Sequence, residues 1–232
     1  MISAVLFDLD DTLYRELDYV EQGFRNVAGV LAEHLSKMGA GRKAPGPDML
    51  CYQMMELMEM EGRGKIFDRI CERYDADISV QELIEVYRDT KPKLSLYPDG
   101  EKLLEWLRDK KKKTGLITDG NAQVQHRKIE ALGLDKRFDV VLASDDLGLA
   151  KPDPAVYAYC IDRLGIAPQE TVYIGDNTSK DFIGAGKIGM RTIRIIRPEG
   201  MYMRREAEDG FDADVTVHLL TEVAAWIQDA EE

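Results

Sequence analysis

From Tyr97 onward the chain alternates short apolar runs with helical segments, and this alternation limits the fold more than any other feature. Thr114–Thr118, Phe138–Ala143, Thr171–Ile174, Arg191–Ile196 and Asp214–Val217 read as strands. Between and after them, Glu101–Lys113 (started by Pro98-Asp99-Gly100), Ala122–Leu132, Pro154–Leu164, Phe182–Ile188 and Thr221–Ala230 carry helical spacing, with Gly133 and Gly165 as stops. Leu103, Leu104 and Leu107 mark the inner face of the first of these helices, and Lys110–Lys113 suit its negative end. A further strand is expected at the N-terminus, where Ala4-Val5-Leu6-Phe7 is apolar without interruption, as in a strand buried on both faces. Strands separated by single helices imply parallel βαβ units with right-handed crossovers. The implied fold class is α/β: an open, doubly wound, mostly parallel sheet. In such a sheet the ligand site lies beyond the C-terminal strand ends, where the strand order reverses.

Residues 14–95 break this alternation. They show helical spacing and no convincing strand: Val20, Phe24, Val27, Leu31 and Leu35, then Met54, Leu57 and Met58, then Ile66, Ile70 and Tyr74, then Leu83, Ile84 and Tyr87. Gly39–Pro47, rich in glycine and proline, reads as a loop. The expected organisation is an α/β core made of residues 1–13 and 96–232, with an all-helical insert over 14–95. The methionines from Met49 to Met60 read as core filler.

The formal net charge of −12 disfavours nucleic acid or an anionic membrane as the main partner. It leaves room for an anionic small substrate, because a local cation can reverse the field inside a cleft. No apolar run approaches bilayer length. The N-terminal run is too short, and too broken by aspartates, for a signal peptide. Cys51, Cys71 and Cys160 are scattered without a CxxC, as expected of reduced thiols. A cytoplasmic protein is expected, as a monomer or a homodimer.

The residues that carry chemistry stand just after strands. Asp8, Asp10 and Asp11 follow the first, and burying bare carboxylates is costly unless they are paired or bind a metal. Asp8 and Asp10, two apart at a strand end, point the same way. One can serve as a nucleophile and the other as an acid and base. Thr12 can orient one of them. Asp10, Asp11 and Thr12 equally suit an N-cap of the next helix. Thr118, Asp119 and Gly120 follow the second strand, where a hydroxyl and the free N–H groups of a helix start form an anion site, or simply a capped turn. Lys151 stands before a helix N-terminus, where its charge opposes the dipole unless a phosphate or an aspartate compensates it. Asp176 follows the fourth strand and Asp181 opens the next helix. Hard oxygen ligands of this kind suit Mg²⁺, while an Asx turn and an N-cap are the plainer readings.

Together, Asp8-Leu9-Asp10-Asp11-Thr12, Thr118, Lys151 in Lys-Pro-Asp-Pro, and Gly175-Asp176 with Asp181 resemble the haloacid dehalogenase (HAD) superfamily of phosphohydrolases, in order and in spacing. The resemblance implies a Rossmann-like core with a C1-type helical cap. It also implies an Mg²⁺-dependent phosphatase acting through an aspartyl-phosphate on a small phosphorylated metabolite: a sugar phosphate, a nucleoside monophosphate or an organic acid phosphate. Asp8 is then the nucleophile and Asp10 the acid and base. Asp8, the Asp10 carbonyl and Asp176 hold the metal. Thr118 and Lys151 bind the phosphoryl group with N–H groups near Asp119 and Gly120, and Thr12 and Asp181 stand behind.

Within the family, a 2-haloacid dehalogenase is disfavoured by Asp10 and by the acids around Asp176. A phosphonate hydrolase needs a Schiff-base lysine, for which the insert offers Lys65. A phosphomutase and a non-enzymatic binding protein are the other readings. Arg15, Tyr19, Arg25, Tyr52, Arg63 and Lys65 are the candidates for leaving-group contacts, each also readable as an ordinary surface residue. The insert is expected to close over the site and exclude water.

Overall fold

A computed structural model describes residues 1–38, 45–202 and 206–230. In chain order its elements are β1 (Ala4–Phe7), α1 (Glu16–Lys37), α2 (Pro47–Glu61), α3 (Ile66–Tyr74), α4 (Val80–Arg88), α5 (Pro98–Asp109), β2 (Lys113–Thr118), α6 (Ala122–Ala131), β3 (Val140–Ala143), α7 (Pro154–Leu164), β4 (Thr171–Gly175), α8 (Ile183–Lys187), β5 (Arg191–Ile195), β6 (Val215–Val217) and α9 (Thr221–Asp229). They fall into two compact units, Met1–Glu16 with Leu94–Glu232, and Leu17–Lys93. Residues 39–44 of the expected glycine- and proline-rich loop lie outside the described residues.

The first unit is an α/β domain. Its six strands form one sheet in the order β3-β2-β1-β4-β5-β6, and every pairing is parallel. β1 lies between β2 and β4, so both its faces need apolar cover, and all four of its residues are buried. Leu6, Ile117 and Tyr173 of the sheet pack with Val156, Tyr157, Cys160 and Ile161 of α7. Burying a side chain such as Leu6 contributes about 2 kcal/mol. The chain runs outward from β1 to β3 and returns to place β4 against β1, so the strand order reverses between β1 and β4. Asp8 continues the pairing past β1, its N–H donating to the Ile174 carbonyl at 2.8 Å.

Several boundaries differ from the sequence expectation, each for a local reason. α5 takes in its start signal Pro98-Asp99-Gly100, because proline at the first helical position surrenders no needed hydrogen bond. It ends at Asp109. Lys111 turns the chain with φ +54°, and Lys113 is already paired with Ala4 in the sheet. Phe138 and Asp139 precede β3: the Asp139 carboxylate accepts from the Thr114 N–H at 2.8 Å, which fixes a turn at that point. Asp214 plays the same part before β6, accepting from the Thr192 N–H at 2.8 Å.

The second unit is all helical among its described residues. Its core joins Val20, Phe24, Val27 and Leu31 of α1 with Leu50, Met54 and Leu57 of α2, Ile66 and Ile70 of α3 and Leu83 of α4. Met54 is fully buried and Met58 packs against the cluster, but Met49 and Met60 are exposed, so the core-filler reading fits only part of that run. Tyr19 belongs to the core, with its hydroxyl donating to the Tyr87 carbonyl at 3.2 Å. Arg25, Tyr52, Arg63 and Lys65 lie on the surface, and Lys65 therefore lacks the burial that activates an amine for Schiff-base chemistry. No helix among the described residues is long and apolar enough to cross a membrane. All three cysteines are free and buried, and burial pushes the Cys160 thiol up to about 12.

One buried ion pair ties the loop after β1 to the rest of this domain. The Arg197 guanidinium donates to Asp99 at 2.8 Å and to the Thr12 carbonyl at 2.8 Å, and it stacks 4.0 Å from the Tyr97 ring. Asp99 also accepts from the Leu220 N–H at 2.7 Å. Burial works against ionising Asp99, but Arg197 and the Leu220 N–H hold its carboxyl below the usual range. A carboxyl lowered in the folded state stabilises above its unfolded value of about 3.9 and loses that contribution as pH falls through the folded value. Asp99→Asn strands the Arg197 charge and is expected to cost about 3 kcal/mol at pH 7. Denaturant unfolding should show the gap between variant and wild type narrowing below about pH 4.

Candidate active site

The strand ends at the reversal point bring together the acids that the sequence singles out. Asp8, Asp176 and Asp181 each offer a carboxylate oxygen, all within 4.8 Å of one another. All three are buried. Between them stands Lys151, its side chain fully buried. Its ammonium pairs with Asp8, donates to Asp181 at 2.7 Å and to the Tyr173 hydroxyl at 3.0 Å. Burial opposes its charge, yet Asp181 and Asp8 hold its pKa well above the ordinary lysine value. The compensation that a lysine before a helix start requires is thus supplied by aspartates. Asp153 caps α7, its carboxylate accepting from the Ala155 N–H at 2.9 Å.

The three acids are not equivalent. Asp181 has both oxygens committed, one to Lys151 and the other to the Asn177 N–H at 2.8 Å. Its carboxylate lies against Gly175, where any Cβ would collide with it: the Asp181 Cγ is 2.7 Å from the ideal Cβ position. Asp181 therefore faces back into the site and does not cap α8, and the Asx turn belongs to Asn177, which accepts from Ser179. Asp176 is different: its Oδ2 is buried without a partner. Burial, with Asp181 and Asp8 nearby, pushes the Asp176 carboxyl well above the carboxylate range. The same burial pushes Asp8 up to about 7 in spite of Lys151. The Thr12 hydroxyl donates to Asp8 Oδ2 at 3.4 Å, a long contact. Two buried carboxyls are therefore short of positive charge, and one has an orphaned oxygen. A divalent cation fits that deficit and that donor set.

Asp10 has partners of its own. Its carboxylate accepts from the Tyr14 hydroxyl at 2.5 Å and from Lys128 at 2.7 and 2.9 Å. Burial works against its ionisation, but Lys128 and the Tyr14 hydroxyl hold it below the usual range. Asp11 takes the capping role left open in this stretch: it accepts from the N–H of Glu16, the first residue of α1, at 2.9 Å and from the Met201 N–H at 2.9 Å. Its φ of +52° is one that non-glycine side chains rarely adopt.

The loop after β2 completes the rim. The Thr118 hydroxyl donates to Gln125 of α6 at 2.9 Å. Gly120 sits at φ +119°, and a Cβ there would lie 2.9 Å from the Gln125 amide nitrogen. The Asp119 carboxylate accepts from Ser144 at 2.6 Å, from the Lys151 N–H at 3.2 Å and from Lys180 at 3.3 Å. Burial opposes its charge, but Lys151 and Lys180 keep it ionised below the usual range. A carboxylate repels phosphate, so only the backbone of Asp119 suits a phosphoryl group. Arg15 pairs with Glu199 at 2.8 Å.

Lys128, Gln125, Tyr14, Ser144, Tyr173 and Lys180 take part in this network without having been singled out by the sequence. α6 did carry a signal. Its buried residues are Val124, Gln125, Lys128 and Ile129, so two polar side chains occupy core-facing positions of a short amphipathic helix. Buried polar residues of that kind need partners.

The model of the haloacid dehalogenase-like hydrolases matches residues 2–189. A glyceraldehyde 3-phosphate phosphatase of Methanopyrus kandleri is 34% identical over 91% of this chain and 91% of its own. The (S)-2-haloacid dehalogenase 4A of Burkholderia cepacia is 31% identical over 84% of each. Among solved structures, a HAD phosphatase from Thermococcus onnurineus superposes with a TM-score of 0.64 at 31% identity, covering 97% of this chain and 98% of that one. With the acids at the reversal point of a parallel sheet and the family match running from β1 through α8, the chain belongs to the haloacid dehalogenase-like hydrolases, as a phosphoric monoester hydrolase of that family.

Proposed function

We propose that the chain hydrolyses a short sugar phosphate of the glyceraldehyde 3-phosphate type, with Asp8 as nucleophile and Asp10 as acid and base. One observation carries this reading: the cluster at the ends of β1 and β4 holds a buried carboxyl on a lysine beside a second carboxyl with an unpartnered oxygen. The substrate class follows from the relatives, of which a second glyceraldehyde 3-phosphate phosphatase, from Methanocaldococcus jannaschii, is 32% identical over 96% of this chain.

In the proposed reaction an Asp8 oxygen attacks phosphorus and the bond to the leaving oxygen breaks, the leaving alkoxide taking a proton from Asp10, which must first gain that proton from solvent against the pull of Lys128 and Tyr14. Water then attacks the aspartyl-phosphate and gives its proton to Asp10, and the bond between Asp8 and phosphorus breaks to release inorganic phosphate. Lys151 and Thr118 bind the phosphoryl oxygens with the backbone N–H groups of Asp119 and Gly120, because phosphoryl transfer depends chiefly on alignment and charge neutralisation. Asp181 holds Lys151, and Thr12 steadies Asp8. Mg²⁺ would be held by Asp8, Asp176 and the Asp10 carbonyl, and would supply the positive charge that the pair Asp8 and Asp176 lacks. The acidic pocket favours the phosphatase over the dehalogenase, whose ester hydrolysis needs neither a metal nor an acid for the leaving group. Residues 14–95 form the cap in this reading, and the protein works in the cytoplasm as a monomer or homodimer.

Asp8→Asn is expected to abolish release of p-nitrophenol from p-nitrophenyl phosphate while leaving the fold intact by circular dichroism, because Asp181 still pairs with Lys151. Turnover by that variant overturns the nucleophile assignment. Chelation of divalent cations should silence the wild type, with recovery on adding Mg²⁺. Because Asp8 holds its proton below about pH 7, a cation must displace that proton there. Calorimetric titration with Mg²⁺ should therefore show affinity falling by at least about tenfold for each pH unit below 7, since the raised Asp176 carboxyl must also lose its proton.

A further inference from the structure

α6 sends a lysine into the domain interior, and that lysine ends on Asp10. Lys128 is 3% exposed, and its ammonium reaches both oxygens of the Asp10 carboxylate. The Tyr14 hydroxyl closes on the same carboxylate from another side at 2.5 Å, and Lys128 stands 6.0 Å from the centre of the Tyr14 ring. A long, flexible side chain gives up rotamer freedom when buried and fixed in this way, and a surface position would avoid that loss. Neither residue belongs to the group that surrounds Asp8, because Lys151 and Asp181 fill that space. Lys128 and Tyr14 converge instead on a single carboxylate.

We infer that Lys128 and Tyr14 are positioning residues for Asp10, fixing the orientation from which its carboxyl exchanges a proton with the leaving group. The inference rests on the acid–base role proposed for Asp10. A bidentate ammonium contact and a short phenol hydrogen bond leave the carboxyl a single rotamer. Proton transfer depends on such alignment, since a positioned acid or base contributes about 10²–10⁴-fold to rate. Lys128 and Tyr14 need not touch the substrate for this, so their loss should appear in turnover and not in binding.

The test compares two phosphomonoesters. p-Nitrophenolate leaves without a proton, whereas the alkoxide of glyceraldehyde 3-phosphate does not. Lys128→Met should lower kcat/KM for glyceraldehyde 3-phosphate by about 100-fold and for p-nitrophenyl phosphate by less than about tenfold, with KM for either within about threefold of wild type. Tyr14→Phe, which removes a single hydroxyl, should show the same bias at about a tenth of the size. It keeps the question answerable if Lys128→Met fails to fold by circular dichroism. In an Asp10→Asn background, Lys128→Met should cost p-nitrophenyl phosphate hydrolysis no more than about twofold, because the group through which it acts is gone. Equal losses on both esters, or the same loss with and without Asp10, would show a merely structural lysine and overturn the inference. Full turnover of glyceraldehyde 3-phosphate by Asp10→Asn alone would instead remove the acid–base role on which the inference rests.

Discussion

Everything around the reversal point of the sheet depends on one buried ammonium. Lys151 has lost all contact with water, and an unpaired charge in that position would be prohibitive. Asp8 and Asp181 make its burial tolerable, and it makes theirs tolerable in turn. The backbone is arranged to keep the three in contact. Gly175 leaves room for the Asp181 carboxylate, the Asn177 N–H fixes its far oxygen, and the Tyr173 hydroxyl fills the remaining side of the lysine. The Tyr173 ring in turn packs edge-on against Tyr157 at 5.0 Å, and the Tyr157 hydroxyl donates to the Asp181 carbonyl at 2.9 Å. Charge, hydrogen bonding and aromatic packing are thus continuous from the site into the core under the sheet.

The site separates its carboxylates by the cations they possess. Asp10 has Lys128 and Asp119 has Lys180 and Lys151, and both are held ionised. Asp8 shares Lys151 with Asp181, Asp176 has no hydrogen-bond partner for its Oδ2, and both resist ionisation. Identical side chains within one cluster therefore carry different protonation, as their neighbours dictate. The deficit is concentrated where a cation from solution can meet it.

Much of this arrangement was legible in the sequence because βαβ order and strand-end chemistry are local patterns. The uninterrupted apolar run at Ala4–Phe7 announced a central strand, and Asp8, Thr118 and Asp176 could be placed because each follows a run of that kind. Glycine and proline marked α7 to the residue, while the α5 boundary was misjudged because the lysines at 110–113 look helical and a turn at Lys111 does not show in composition. The partners were hidden for a different reason. Lys128 lies 118 positions from Asp10, and Tyr173 reads as one more apolar strand residue until the fold sets Lys151 beside its hydroxyl. Pairings over such distances follow from the sheet order and cannot be read from spacing.

Tyr14 gives this domain a further property. Its backbone pairs antiparallel with Leu96, and the Tyr97 N–H donates to the Leu13 carbonyl at 2.8 Å. The outgoing and returning chains are therefore stitched together before the helical segment begins. The α/β unit is interrupted in sequence yet closed in space, with a gap at Tyr14 and Leu96 no wider than a pair of neighbouring strands. The two ends are held in register by contacts of this domain's own residues. The segment between them enters and leaves through that one seam, so its length bears little on the pairing of the strands it interrupts.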